Sequence, residues 1–290
     1  MPATAPAGPR PGAARRLIVS ADDFGLSPAV NEAVERAHRG GLLTTASLMV
    51  AGPAAADAVR RAHALPGLRV GLHLVVIEGP AALPPAEIPA LVDARGQFPS
   101  GQLRLGMRYF FLPGVRRQLR REIAAQFEAF ARTGLRLDHA NAHKHMHMHP
   151  TVGRMMIEAG RRHGLAAIRI PAEPPSALAA CGTPATPGAW AMHAGCRVLR
   201  RQARRAGLRT NDHVFGLAWS GHMTAARIVA LAGRLPPGLS EAYFHPATHA
   251  EPALRALMPG YEPEAELAAL LDPAVREALA AGGVEAATYG

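Results

Sequence analysis

The 290-residue chain has few cysteines and almost no lysine, and it lacks a long hydrophobic run. Its two cysteines, Cys181 and Cys196, have neither the spacing of metal ligands nor that of a secreted disulfide framework, so we expect free thiols. No apolar stretch approaches the roughly 20 residues of a membrane span. Residues 1–14 are rich in Ala and Pro and lack the apolar segment of a signal peptide. These absences predict a cytoplasmic protein with a disordered N-terminal tail.

The positive charge of the chain comes almost entirely from arginine. Lys144 is the only lysine, although Lys and Arg together number 32 against 22 Asp and Glu, a formal net charge of +10. This skew, beside abundant alanine, is more typical of genome base composition than of selection for a partner. Charge alone is compatible with nucleic acid binding, but no recognised motif accompanies it, so we expect no nucleic acid partner.

Two arginine clusters stand out. One lies at 197–205 with the spacing of a single helix face, which we interpret as a solvated surface. The other, RYFFLPGVRRQLRR at 108–121, combines aromatic residues with four arginines. This second pattern predicts either peripheral contact with an anionic membrane, at the inner face, or aromatics packed under a lid beside solvated arginines. The sequence also leaves a homodimer open.

Histidine is concentrated in one segment, LDHANAHKHMHMHP at 137–150, which holds five histidines in eleven positions. Imidazole is the commonest metal-ligating side chain. A second segment, LIVSADDFG at 17–25, ends an apolar run in Asp22 and Asp23. Carboxylate plus imidazole is the ligand mixture of a catalytic divalent-metal site. Taken separately, the histidines could be a metal-scavenging tract and the paired aspartates a turn or helix cap; together they favour a hydrolase site.

Short apolar runs alternate with helical patterns along the whole chain, and about eight such βα units favour a TIM-like (β/α) barrel in a single domain, 15–290. The predicted strands are 17–21, 45–50, 69–75, 136–142, 167–170, 213–217, 240–245 and 283–288. The predicted helices are 28–39, which Ser27 caps and Gly40-Gly41 ends, 53–64, 116–132, 151–163, 189–206, 223–233 and 264–281. Residues 76–115 form a long Pro/Gly-rich insertion, and 171–188 are a second long connection, of the kind that forms lids or binding loops.

Barrel enzymes place their sites at the carboxyl ends of the strands, and the polar residues of this sequence fall at those ends. The candidates are Asp22, Asp23, His73, His143, Arg169 and His245. A lone His73 is more often a half-buried structural histidine, but its position opposite Asp23 and His143 favours a ligand. Arg169, Trp219, Tyr109 and Phe110 are the predicted substrate-binding residues.

Four segments, ADDFG, GLH, NAHKHMH and FHPA, resemble the YdjC-like carbohydrate deacetylases over roughly residues 16–250. Within that family the chain looks most like the hopanoid biosynthesis-associated deacetylases, on the strength of NAHKHMHMHPTV at 141–152 and VFGLAWSGHMT at 214–224. The resemblance implies a metal-dependent N-deacetylase acting on an N-acetylated sugar or glycolipid. In the hopanoid branch it implies N-acetylglucosaminyl bacteriohopanetetrol as the substrate.

The resemblance also implies roles for individual residues. Asp23, His73 and His143 resemble the ligands of one divalent ion, with Zn or Mg expected, and Asp22 resembles the general base. His245 resembles the general acid. The chain departs from chito-oligosaccharide deacetylases at Asn141, where those enzymes commonly have Asp; an amide can orient a neighbour but carries no charge.

The chemistry fits these residue types without the family. A divalent ion lowers the pKa of bound water and polarises a carbonyl, a carboxylate can take the water's proton, and an imidazole can protonate the departing amine. Three alternatives stay open: a chito-oligosaccharide deacetylase, a non-haem iron oxygenase with the same ligand triad, and a metal-binding protein that uses the histidine tract. His145, His147 and His149 are expected to line the rim or to cap the next helix rather than to bind metal.

Overall fold

The computed structural model describes residues 14–290, so the predicted tail lies outside the described residues except for Ala14. The strands are β1 Arg15–Phe24, β2 Thr45–Leu48, β3 Arg69–Leu74, β4 Ala140–Ala142, β5 Ala167–Ile168, β6 Arg209–Thr210, β7 His213–Phe215, β8 Gly238–Phe244 and β9 Val284–Ala287. The helices are α1 Pro28–Gly40, α2 Ala55–His63, α3 Gln102–Phe111, α4 Pro113–Arg132, α5 Pro150–Arg162, α6 Pro175–Ala180, α7 Pro187–Arg205, α8 Ala225–Ala232, α9 Pro252–Leu257, α10 Pro263–Leu271 and α11 Pro273–Ala281.

The strands form one parallel sheet in the order β6-β5-β4-β3-β2-β1-β8-β7, with β9 paired to β1. The sheet curls into a partial barrel with helices as its connections, which confirms the predicted single α/β domain of the (β/α)-barrel class. Strands β6 and β7 end the order, and Asn211 lies between them in the chain. Its side chain bonds to backbone groups of β7 and of Ile170, which lies just after β5. It accepts from the Ile170 N–H at 2.7 Å and donates to the carbonyls of Ile170 and His213, both at 2.8 Å.

The last predicted strand, 283–288, forms as β9, but it does not take a place in the strand order of the barrel. It pairs with the first half of β1, from Arg15 opposite Val284 to Ile18 opposite Ala287. The second half of β1 pairs with β2 instead. β9 therefore lies at the amino-terminal base of the barrel, and the chain ends beneath the sheet.

The insertion at 76–115 contains a helix that the sequence pattern did not predict. Helix α3 is only ten residues long and lies inside the Pro/Gly-rich stretch that was interpreted as a lid or binding loop, with Leu105 and Tyr109 on its buried face. Tyr109 fixes α3 to the loop that follows β3 by donating to the Val76 carbonyl at 2.6 Å. Glu122 of α4 accepts the Ala82 and Leu83 N–H groups at 2.7 and 2.9 Å. The insertion is thus bound to the body of the domain.

The start of α1 follows its sequence signals. Ser27 has extended backbone angles, and its hydroxyl accepts the Val30 N–H at 3.3 Å. Pro28 occupies the first turn, where the missing N–H has no cost. These local signals begin α1 shortly after the end of β1, and so they fix where the strand that carries Asp22 and Asp23 ends.

Strand β1 is buried on both faces from Leu17 to Phe24. A strand of that kind is expected to be apolar throughout, because helices cover both faces of a parallel sheet. Ser20, Asp22 and Asp23 break that expectation, and all three are almost fully buried. Polar groups in such a place need internal partners, and those partners form the candidate site.

Candidate active site

A β-bulge at the end of β1 turns Asp22 and Asp23 toward the same cavity. Successive strand residues ordinarily point to opposite faces of a sheet. The pairing of β1 with β2 shifts register between Ala21 and Phe24, and Asp23 has a left-handed φ of 60°. Aspartate tolerates this conformation better than most residues. The bulge therefore places two adjacent carboxylates in one site.

Asp23 lies beside two histidines from neighbouring strands. Its Oδ1 is 3.2 Å from His73 Nε2 and 3.2 Å from His143 Nδ1. The two imidazole nitrogens are 3.4 Å apart. His73 ends β3 and His143 directly follows β4, so the order of the strands brings the three side chains together. The structure thus gathers the three predicted ligands into one group.

The donor atoms of this triad fit a bound metal ion. For Zn–N and Zn–O bonds of about 2.0–2.1 Å, the edges of a tetrahedron are roughly 3.3–3.4 Å. The three distances of 3.2, 3.2 and 3.4 Å are close to that value. The second oxygen of Asp23, Oδ2, is buried with no partner among the described residues, as expected for an atom that has a ligand to bind. Asp23, His73 and His143 would hold the ion on one face and leave further positions open.

Asn141 sets the tautomer of His73. Its Nδ2 donates to Asp22 Oδ1 and to Ser47 Oγ, each at 3.0 Å, so its Oδ1 faces His73 Nδ1 at 2.7 Å. Nδ1 of His73 must then carry the proton, which leaves Nε2 with a free lone pair directed at Asp23 and His143. An orienting partner of this kind is typical of metal-ligating histidines. The amide at 141 thereby orients His73 without adding a charge to the site.

Asp22 is held by donors on both of its oxygens. Arg169 Nη1 and Nη2 donate to it at 2.5 and 2.9 Å, in addition to the bond from Asn141. Burial alone would raise the pKa of Asp22, but the charge of Arg169, with smaller effects from His73 and His245, holds that pKa far below its usual range. At neutral pH Asp22 therefore lines the cavity as an ionised carboxylate.

Arg169 connects the site to the end of the chain. Its Nη2 also donates to Glu241 Oε1 at 2.7 Å and to Ser20 Oγ at 3.0 Å. Glu241 Oε2 accepts the Tyr289 hydroxyl at 2.5 Å. Every charged group in this row is buried, and the two carboxylates compensate the charge of Arg169 and accept from both of its terminal nitrogens, whereas its Nε has no partner among the described residues. Tyr289, the penultimate residue, thus contributes to the support beneath Asp22.

The histidine tract does not form a strand, and its members point to different places. Residues His143–Met148 form a 3-10 segment in which Lys144 and His145 have left-handed backbone angles. His145 lines the cavity with Nε2 3.1 Å from the Tyr243 hydroxyl. His147 is buried against the Arg169 carbonyl at 3.0 Å, and burial followed by the charge of Arg169 lowers its pKa to about 3. Only His143 joins the triad.

The tract therefore does not offer several metal sites. Within residues 14–290 the triad is the one group of three or more acidic, histidine or cysteine side chains close enough to hold an ion. His149 precedes α5 as predicted but makes no side-chain cap bond.

His245 follows β8 and lines the same cavity. Its backbone N–H donates to Glu266 at 2.5 Å, and its ring makes edge contacts with Tyr243 and Tyr261, whose centroids lie 5.5 and 5.1 Å away. Its Nδ1 is buried with no partner among the described residues. Backbone and ring are thus both held in place, as a group that transfers a proton requires.

The structure corrects three of the four predicted substrate-binding residues. Arg169 and Tyr109 have no exposed surface, and Trp219 is 3% exposed behind the wall, where its Nε1 donates to Thr183 Oγ1 at 2.8 Å. Buried side chains already bonded in the core have no surface for a substrate to contact. Phe110 is exposed, but it borders an outer groove rather than the cavity that holds the triad.

The cavity above the triad measures about 700 Å³, large enough for a substrate of several rings. Its polar end holds the triad with Asp22, Tyr243 and His245, and its wall farther out is mainly apolar. The apolar lining consists of Met148, Pro171, Pro175, Leu178, Pro184, Ala185, Ala189, Met192, Leu217, Leu257, Met258 and Pro259.

Several site residues were missed from the sequence. Glu173 accepts the N–H groups of Gly216, Leu217 and Ala218 at 2.8, 3.0 and 2.9 Å and so fixes part of the cavity wall. Glu241 is a carboxylate inside an apolar strand, a signal for a buried charge with a partner. That signal was available in SEAYFH at 240–245.

Comparisons with known proteins agree with this architecture. The family model for YdjC-like proteins matches residues 16–281. The carbohydrate deacetylase of Geobacillus stearothermophilus is 32% identical over 95% of this chain and 97% of its own length. That of Mus musculus is 32% identical over 85% of this chain and 78% of its own length. A crystal structure from Enterococcus faecalis V583, described as a candidate cellobiose-phosphate cleavage protein, has a TM-score of 0.74 at 23% identity, covering 96% of this chain and 98% of that one.

Proposed function

This chain belongs to the YdjC-like family, and from that premise we propose that it is a metal-dependent carbohydrate deacetylase that hydrolyses the N-acetyl group of an amino sugar. The observation that carries the proposal is the triad of Asp23, His73 and His143, which faces a cavity with the ionised carboxylate of Asp22 beside it. The carbohydrate deacetylases of Geobacillus stearothermophilus and Mus musculus match 95% and 85% of the chain, which supports the same reaction.

The side chains divide the reaction between them. A divalent ion held by the triad would supply an activated water and a Lewis acid for the acetyl carbonyl. Asp22 is the group that takes the water's proton and passes it on, because it is an ionised carboxylate beside the triad and is not one of the three ligands. His245 is the group that donates a proton to the departing amine, because it is an imidazole held in place beside the same cavity. Zinc suits a set of two imidazoles and one carboxylate better than magnesium does.

The substrate we propose is a glycolipid, N-acetylglucosaminyl bacteriohopanetetrol, with its sugar at the triad. The apolar wall of the cavity supports an apolar aglycone, since residues such as Leu178, Met192 and Leu257 offer little to a chain of polar sugar units. Chito-oligosaccharides are the competing substrate. We also propose that the protein carries out this reaction in the cytoplasm. In the described part of the chain, no helix has the length and hydrophobicity to cross a membrane.

Acetate release from metal-loaded protein tests the reaction, with mass spectrometry of the product to detect loss of one acetyl group. N-acetylated glycolipids and chito-oligosaccharides are compared in the same assay. His143→Ala should lose bound metal and activity together. His149→Ala, in the same tract but outside the triad, is the matched control and should keep the metal. Stoichiometric metal in His143→Ala would contradict the ligand assignment. Oxygen consumption without acetate release would favour the iron oxygenase alternative.

A further inference from the structure

Large apolar side chains are exposed along helix α3. We call Leu103, Met107, Phe110, Phe111 and Leu112 the α3 ridge. Leu103 is 83% exposed and Phe111 60% exposed. Single exposed apolar residues are ordinary on protein surfaces, but a contiguous set indicates a binding surface.

The α3 ridge borders the entrance to the active site. A groove of about 620 Å³ lies between the ridge and the histidine segment, and Gln102, His145 and Met148 line both this groove and the active-site cavity. Elsewhere on that cavity's border, Met192 of α7 and Leu257 of α9 are also exposed. Apolar surface therefore continues from the outside of the protein to the proposed site.

A basic pocket lies next to the ridge along the chain. Four arginines and Pro113 surround a volume of about 300 Å³. We call these arginines the arginine pocket: Arg116, Arg117, Arg120 and Arg154. Glu158 pairs with Arg120 at 2.6 Å and with Arg154 at 3.7 Å. Arg116 and Arg117 have no acidic partner among the described residues. Two unpaired guanidinium groups beside exposed aromatics form a surface that is both apolar and cationic.

We propose that the α3 ridge and the arginine pocket dock the protein on an anionic membrane surface. The ridge enters the interface between headgroups and acyl chains, and the unpaired arginines bind the anionic headgroups; this combination is how peripheral helices bind bilayers. Only the purpose of this docking rests on the proposed function: it would bring the cavity entrance to a lipid-linked sugar. It revises the sequence prediction for 108–121, since Tyr109 is buried and takes no part.

Vesicle co-sedimentation tests the docking surface. Wild-type protein should bind vesicles of phosphatidylcholine with phosphatidylglycerol and should bind pure phosphatidylcholine weakly, with binding that falls as salt rises. The variant Leu103→Ser/Phe111→Ser should bind at least about tenfold more weakly, because both side chains lose their insertion. Arg116→Ala/Arg117→Ala should also bind about tenfold more weakly and show a shallower salt dependence.

The chain offers matched controls for both changes. Val198→Ser/Val229→Ser removes two exposed apolar side chains from α7 and α8, and Arg201→Ala/Arg204→Ala removes two arginines from the far part of α7. Neither control should alter vesicle binding. Equal losses in a control and a test variant would overturn the assignment, as would wild-type protein that stays unbound.

Two further measurements separate the alternatives. Acetate release from a water-soluble N-acetylamino sugar, measured on the same samples, reports the proposed chemistry independently of docking. Sedimentation velocity reports the oligomeric state. If the ridge substitutions convert a dimer to a monomer while wild-type protein ignores vesicles, the ridge is a self-association surface and the membrane proposal is wrong.

Discussion

Replacing Asp22 by Asn perturbs the group on which both the proposed chemistry and the buried support depend. Asp22 accepts hydrogen bonds from Arg169 at 2.5 and 2.9 Å and from Asn141 at 3.0 Å. An amide has the same shape but brings an NH₂ group. Whichever way that amide turns, the NH₂ faces a nitrogen of the Arg169 guanidinium, and in one of the two orientations it also faces the Asn141 amide. The substitution therefore removes a charge and creates a conflict between donors.

The cost in stability follows from the burial of Arg169. Removing one partner of a buried ion pair costs about 3–5 kcal/mol. Glu241 still neutralises Arg169 in the variant, so we expect the lower part of that range. At about 2–4 °C for each kcal/mol, the melting temperature should fall by roughly 6–12 °C. Turnover should fall on the order of 10²–10⁴-fold, since an amide cannot accept the proton. The metal content should remain, because Asp22 is not one of the three donors.

The stability difference should depend on pH in a defined direction. The pKa of Asp22 is held far below its usual value in the folded protein. Its contribution is therefore fully present above the unfolded-state pKa of about 3.9 and is lost as pH falls below that value. The gap in melting temperature between wild type and Asp22→Asn should be constant from neutral pH to about 5 and should narrow below about 4. Calorimetry across this range measures it.

A double variant separates the structural role of Asp22 from the chemical one. In Asp22→Asn/Asn141→Asp, the amide at 22 can accept from Arg169 and donate to the carboxylate at 141. Much of the lost melting temperature should return, while acetate release stays low because the carboxylate has moved from its place beside the triad. Near-wild-type turnover of Asp22→Asn with full metal occupancy would refute the reasoning, and Asp22 would then be purely structural.

Three other substitutions test the surroundings of the site. Gly221→Ala should lower turnover without loss of metal, as measured by acetate release and metal analysis, because Gly221 has φ of +78° and a methyl group there would overlap the Tyr261 ring in the cavity. Tyr289→Phe should lower the melting temperature by an amount equivalent to about 1–3 kcal/mol, since it leaves the buried Glu241 oxygen without its donor; an unchanged melting curve would show that the C-terminal residues do not support the site. Glu173→Ala should raise KM more than it lowers kcat, because three backbone N–H groups of the cavity wall lose their acceptor.

The fold class and the meeting of Asp23, His73 and His143 could be predicted because both depend on features local to the chain. Apolar runs and helix caps recur along the sequence, and the carboxyl ends of parallel strands meet at one rim. Asp23, His73 and His143 follow three strands of one curled sheet, so their meeting requires only the strand order. The prediction of the triad needed no side-chain detail.

Other features could not be predicted because they depend on contacts between distant segments. Arg169 was expected at the rim as a substrate contact, but Glu241 lies across the barrel in β8 and draws the guanidinium into the core. Nothing near Arg169 in the sequence signals that partner. Helix α3 was missed for a different reason: it is a ten-residue helix inside a Pro/Gly-rich insertion, and that composition favoured a loop.

The different roles proposed for two adjacent aspartates follow from counting their hydrogen bonds. Asp22 has donors on both oxygens, one of them the guanidinium of Arg169, and a carboxylate neutralised in this way has little charge left to offer a metal. Asp23 has one oxygen between two imidazoles and the other with no partner among the described residues. A buried carboxylate oxygen without a donor is costly unless a cation completes it. The bulge in β1 creates this difference, since it aims both side chains at one cavity while only Asp22 stays within reach of Arg169. For the same reason Asp22 should not replace Asp23 as a metal ligand when Asp23 is mutated. To reach the ion, the Asp22 carboxylate would have to leave Arg169, whose buried charge would then have one partner fewer.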